Sequence, residues 1–153
     1  MKTTLYAAYG SNLSKTQMSY RCPDARVICK SWLHDYRLVF KGRLRTAQAT
    51  VIPEPGQAVP LVIWEISDQD EAALDFCEGV ARGCYKKEYM EVEVDGEMKS
   101  AMIYVMNAQY FGNPTHMYFN TILRGYADFN LPTDTLNEAL QYSYRNAYNY
   151  QIN

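Results

Sequence analysis

Leu5-Tyr6-Ala7-Ala8-Tyr9-Gly10-Ser11-Asn12-Leu13 is an apolar run that breaks on a small polar bend, and its reading decides the fold. Thr3 to Ala8 reads as a buried strand that stops at the bend. Gly10 tolerates positive φ and lets a ligand approach the main chain, while Ser11 and Asn12 favour a tight turn. Ser14 followed by Gln17 has the form of a capping box, which predicts a short helix over Lys15 to Tyr20, stopping before Pro23. Strand, amide-rich bend and helix start together make a cradle for an anion or an oxyanion. An ordinary strand-to-helix turn has the same local chemistry, so this stretch alone leaves function open.

Working outward, Arg26 to Trp32 and Tyr36 to Lys41 are β-rich runs joined by His34-Asp35. Gln48 to Ile52 and Val59 to Ile66 flank Pro53-Glu54-Pro55-Gly56, which predicts a turn. Val59 to Ile66 is apolar on both faces, as a central strand should be. Ser67-Asp68-Gln69-Asp70 caps a helix through about Phe76, with Ala73, Leu74 and Cys77 expected inward. Tyr85 to Val94 alternates, Asp95-Gly96 is a hairpin signal, and Lys99 to Met106 returns. Thr115 to Gly125 predicts a helix with Tyr118, Phe119 and Ile122 on one side. Beyond Pro132, Thr135 with Glu138 predicts the start of a last helix. Seven short strands and a few helices outside any βαβ rhythm indicate an α+β fold, a small mixed β-barrel or curled sheet with surrounding helices. One domain over residues 1–153 is expected.

Composition narrows the function classes. With 48% hydrophobic and 21% charged residues, the 153-residue chain is of the soluble globular type. A net charge of −2 argues against a nucleic-acid partner, and no apolar run is long enough to cross a bilayer. Met1-Lys2-Thr3-Thr4 carries no signal-peptide core, which makes the cytoplasm the expected location. Cys22/Cys29 and Cys77/Cys84 do not have zinc spacing, and only His34 and His116 could supply imidazole, so no metal is expected. Four of the 14 tyrosines, Tyr142, Tyr144, Tyr148 and Tyr150, crowd the C-terminus and suit packing on the domain or a homodimer contact.

A second stretch bears on function: Leu74-Asp75-Phe76-Cys77-Glu78-Gly79-Val80, followed by Gly83 and Tyr85. In order with Tyr9-Gly10-Ser11-Asn12-Leu13, it makes the sequence similar to the gamma-glutamylcyclotransferase family. The resemblance continues through Gly56 to Trp64, Tyr104-Val105-Met106, Pro114-Thr115, Tyr118, Ile122 and Gly125 to Pro132, spanning roughly residues 3 to 132. It implies a mixed β-barrel and a cofactor-free enzyme acting on a small γ-glutamyl molecule. Such an enzyme closes the γ-glutamyl group into 5-oxoproline and releases the attached amine. The resemblance also implies roles: Glu78 as the catalytic acid/base, and Tyr6, Ala8, Tyr9, Gly10, Ser11 and Asn12 as the substrate-binding loop. Tyr104 would contact substrate, and Tyr85 and Tyr118 would lie near the pocket.

The residues themselves are compatible with that chemistry. Glu78 falls at the end of a predicted helix, with Gly79 as the stop. The negative end of the helix dipole and the apolar neighbours Phe76, Cys77 and Val80 would raise its pKa, as a group that both takes and returns a proton requires. A solvated glutamate at a helix end is the competing reading. Two other functions are consistent with the sequence: a non-catalytic binder of γ-glutamyl or carboxylate ligands, and an amidase using Cys77 or Cys84, which no histidine neighbours in sequence. The basic stretch Arg37, Lys41, Arg43 and Arg45 is either a solvated edge or a guide for an anionic substrate. Residues 37–45 and 107–116 are expected to line the leaving-group side of the pocket, whose specificity the sequence leaves open.

Overall fold

The computed structural model describes residues 2–152, with side chains as far as residue 147. Its strands are β1 (Thr3–Ala8), β2 (Arg26–Lys41), β3 (Gln48–Ser67), β4 (Tyr85–Val94) and β5 (Glu97–Met106). Its helices are α1 (Lys15–Arg21), α2 (Asp68–Cys77), α3 (His116–Asp128) and α4 (Asp134–Ile152). The strands form one mixed sheet in the order β2-β3-β1-β5-β4, with β1 antiparallel to β3 and parallel to β5. The α+β class holds. Among the described residues, however, β2 and β4 do not pair, so the sheet curls without closing into a barrel. The Ser31 hydroxyl reaches across to the Glu93 carbonyl at 2.7 Å, but elsewhere a groove of about 360 Å³ lies between the two edges.

Five strands replace the expected seven because the two predicted breaks face each other at one bulge in the β2–β3 ladder. Tyr36 pairs with Pro53 and His34 with Ala58, so four residues of β3 bulge opposite Asp35. Asp35 and Gly56 both have positive φ, and the Gly56 N–H donates to Asp35 Oδ1 at 3.0 Å. That side-chain acceptor replaces a ladder bond, and the prolines sit where a missing N–H does no harm. Val62 and Ile63, paired to both β1 and β2, are fully buried, as are Val59 and Leu61 just before them.

The helices are set by their caps and their buried stripes. Ser67 and Asp70 bond each other's backbone amides in a complete capping box, which starts α2. Asp70 and Leu74 are buried at i and i+4, and the next position on that stripe is Glu78. Cys77 is therefore turned out and exposed, not inward as the sequence suggested, and Ala73 is only half-buried. α4 begins at Asp134, so Thr135 lies inside its first turn and is not the cap. α4 shields the edge strand β2: the Phe40 N–H donates to Ser143 Oγ at 2.8 Å, with Leu136 and Ala139 buried beneath. Tyr142 packs edge-on to Phe111 and lies under the Arg37 guanidinium, 4.5 Å from the ring centre. Tyr144 is exposed, and Tyr148 and Tyr150 fall outside the described side chains. Among the described residues no helix is long and apolar enough to cross a membrane.

Candidate active site

β1 delivers the chain to the bend. Ala8 is fully buried in the core and does not line the cleft beyond it, unlike Tyr6, Tyr9, Gly10, Ser11 and Asn12. Ser11–Leu13 forms a 3₁₀ turn, closed by Leu13 N–H to Gly10 O at 3.0 Å and Ser14 N–H to Ser11 O at 3.1 Å. The amides of Gly10, Ser11 and Asn12 are thus the leading N–H groups of a helical turn, which have no partner inside it. From the far side α3 clamps the bend. Gly125 packs so closely that a Cβ there would lie 2.4 Å from Leu13 Cβ and 2.8 Å from the Ser14 nitrogen.

Asn12 joins the bend to the rest of the site. Ser14 caps α1 by accepting from the Gln17 N–H at 3.2 Å, but the reciprocal half of the expected capping box does not form. The Gln17 side chain donates instead to Ser11 Oγ at 2.7 Å and Asn12 Oδ1 at 3.1 Å. Arg21, one turn further along α1, donates to the same Asn12 oxygen at 3.0 Å. With Oδ1 occupied by two donors, the Asn12 amide is oriented so that Nδ2 points into the cleft. It donates to the Tyr6 hydroxyl at 2.9 Å and to Glu78 Oε1 at 3.3 Å.

Glu78 enters from the opposite side, as the residue that ends α2. Gly79 follows in the left-handed region at φ 62°, and its carbonyl accepts from both Arg82 and Cys84 at 3.0 Å. Burial pushes the Glu78 carboxyl above its usual range, with the Arg21 charge and the Asn12 hydrogen bond opposing. The source of that burial differs from the sequence expectation. Of the three expected neighbours, Phe76 is 84% exposed and Cys77 is exposed, while Val80 is half-buried against the core; the tyrosine walls of the cleft enclose the carboxyl as well.

Tyr6, Tyr9, Tyr85, Tyr104 and Tyr118 line this cleft of about 110 Å³ with Glu78, and burial pushes every one of these phenols upward. Each hydroxyl is engaged. Tyr9 donates to the Tyr104 carbonyl and Tyr85 to the Ala49 carbonyl at 2.7 Å, while Tyr118 accepts from the Ala49 N–H at 2.9 Å. The Tyr6 and Tyr104 rings meet edge to face, 5.7 Å apart. Tyr104 donates to Asp75 Oδ1 at 2.6 Å; Lys87 donates to Asp75 Oδ2 at 2.9 Å and to Glu71 at 2.6 Å. Because its proton goes to Asp75, the Tyr104 oxygen presents only lone pairs to the cleft.

Sequence reasoning missed Gln17, Arg21, Gln48 and Ala49 on the lining, and Asp75 behind Tyr104. The i, i+4 spacing of Gln17 and Arg21 on α1 was the available signal for two of them. The expected leaving-group wall is not there. No residue of 37–45 or 107–116 lines the cleft. Those loops bind each other, Gly42 N–H to Tyr110 O at 2.9 Å and Asn113 N–H to Leu44 O at 2.7 Å. Arg37 pairs with Glu54, and Lys41 sits over Phe111. No group of three or more potential metal ligands occurs among the described residues.

Comparison with known proteins follows the same lines. Residues 6–120 match the family model described as gamma-glutamyl cyclotransferase, AIG2-like. The chain is 31% identical over 140 residues to a gamma-glutamylcyclotransferase of Homo sapiens, an alignment covering 85% of this chain and 73% of that one. To its Mus musculus counterpart it is 30% identical over 141 residues, covering 87% and 75%. A solved structure titled gamma-glutamyl cyclotransferase superposes with a TM-score of 0.78 at 28% identity, over 94% of this chain and 86% of that one.

Proposed function

The chain belongs to the gamma-glutamylcyclotransferase family, and from that premise we propose that it converts γ-glutamyl amino acids, peptides or amines into 5-oxoproline and the free amine, with Glu78 as base and acid. The observation that carries the proposal is the meeting of Glu78 with Asn12 of the bend inside a tyrosine-walled cleft. The substrate brings its own nucleophile: its α-nitrogen attacks the γ-carbonyl carbon, a C–N bond closes the five-membered lactam, and the original amide C–N bond breaks. Well-oriented cyclisations reach effective molarities of about 10⁵–10⁸ M, so the protein's task is to fold the substrate and move protons, and the reaction calls for no cofactor.

Glu78 takes a proton from the α-ammonium and returns it to the departing amine, leaving the carboxylate as it began. The Tyr104 oxygen, held as an acceptor by Asp75, steers the ammonium toward the carbonyl. The leading amides of the Gly10–Asn12 bend take the negative charge of the tetrahedral intermediate or the substrate α-carboxylate. Tyr85 and Tyr118, tied to the Ala49 backbone, shape the floor and exclude water.

Incubation with a panel of γ-glutamylalanine, glutathione and γ-glutamyl amides, read by mass spectrometry, tests this. Equal amounts of 5-oxoproline and free amine are expected from at least one member. Binding of panel members by thermal shift with no 5-oxoproline from any would replace the enzyme by a ligand-binding protein on the same fold.

A further inference from the structure

We infer that the groove between α1 and α3 is the leaving-group subsite and that it selects leaving groups ending in a carboxylate, that is, amino acids or short peptides over simple amines. The inference rests on the reaction proposed above and names the part of the substrate that reaction leaves open. None of residues 37–45 or 107–116 lines the cleft, which leaves the surfaces that adjoin it to hold the leaving group. The tyrosine-walled cleft carries Glu78 and the bend, the groups assigned to the glutamyl half. A groove of about 330 Å³ lies beside it, and the two cavities have Gln17 and Arg21 in common.

The charge of that groove is one-sided. Arg21 and Arg124 line it and no acidic residue does. Arg21 donates to Asn12 and has further guanidinium N–H groups available, and neither arginine is in an ion pair among the described residues. The acidic residue one turn beyond Arg124 on α3 is Asp128, whose carboxylate accepts from the Lys15 N–H at 3.0 Å. Arg21 stands where the glutamyl half passes into the groove, and Arg124 stands further out with Thr16 and Thr121. A guanidinium binds a carboxylate through paired N–H donors, a preference that a neutral amine cannot satisfy. The exposed Tyr20 ring supplies an apolar wall for the leaving side chain.

The test compares kcat/KM for γ-glutamylalanine with that for γ-glutamylethylamide, which differ in the leaving carboxylate. The wild-type protein is expected to favour γ-glutamylalanine about tenfold or more. Arg124→Glu, at an exposed helix position, should lower that ratio about tenfold through KM, and Arg124→Lys should retain most of it. A wild-type ratio of one or less, or a ratio unchanged in Arg124→Glu, overturns the inference. So does an Arg21→Gln defect equal for both substrates with Arg124→Glu silent, since Arg21 would then serve the glutamyl α-carboxylate alone. Calorimetry on Glu78→Gln separates this from failure of the reaction itself. Tighter binding of γ-glutamylalanine than of the ethylamide, lost on adding Arg124→Glu, supports the subsite even if no 5-oxoproline ever forms; equal affinities sink it.

Discussion

Glu78→Gln is expected to lower kcat for the proposed 5-oxoproline release by about 10²–10⁴-fold while the folded protein remains. The amide keeps the size of the carboxyl and can still hydrogen-bond Asn12, but it cannot accept the ammonium proton. The pH dependence follows from the same group. Because burial raises the Glu78 pKa, the carboxylate proposed as base is lost at a higher pH than for an ordinary glutamate. The acid limb of the kcat/KM profile, which reports the free enzyme, should therefore lie at higher pH than an ordinary glutamate would put it. Stability runs the other way. A carboxyl whose folded pKa is raised binds its proton more tightly in the folded state, so its contribution is fully present below the unfolded pKa and is lost as pH rises through the folded one. At neutral pH the ionised group is thus a burden on the fold, and Glu78→Gln should melt no lower than wild type. A variant that melts well below wild type, or that turns over normally, would contradict this account.

Gly125→Ala is the second large effect, expected to lower stability by about 1–3 kcal/mol and to cut turnover with it. Alanine in place of glycine favours a helix by about 1 kcal/mol, which opposes the loss. The contacts decide the sign: the new methyl group would meet the Leu13 and Ser14 backbone at 2.8 Å, and backbone cannot swing aside as a side chain can. α3 or the bend must move, and the bend carries Ser11 and Asn12. For a domain of this size the loss corresponds to a fall of several degrees in Tm, about 2–4 °C per kcal/mol. Thermal melting and kcat measured on the same preparation check both halves. A variant as stable and active as wild type would show that the bend tolerates displacement.

What the sequence made legible were features written in local pattern. Val59 to Ile66 announced a central strand by being apolar on both faces, and Asp95-Gly96 announced its hairpin. Features that depend on tertiary partners were not legible. Pro53 to Gly56 reads as a turn until Asp35, across the ladder, supplies an acceptor. Gln17 looked like half of a capping box because its side chain's other partners, Ser11 and Asn12, are set by the bend's shape. For Glu78 burial raises the pKa, the direction expected from the sequence, but tertiary neighbours supply much of that burial. Linear neighbours were taken as the apolar surround, whereas the stripe Asp70, Leu74, Glu78 turns the carboxyl inward and Cys77 outward. The leaving-group wall was misplaced for a related reason: the basic end of β2 with the turn after it, and the uncharged segment 107–116, spend backbone bonds on one another.

Cys77 sits on the rim of the cleft, exposed, one residue before the carboxyl proposed to do the proton work. A bulky adduct on that sulfur would stopper the entrance whatever part sulfur takes in turnover. Inactivation by iodoacetamide would then report an address and say nothing of a nucleophile. Cys77→Ala tells the two apart: it should turn over near the wild-type rate and shrug off the reagent, whereas a silent variant would hand the chemistry to the thiol.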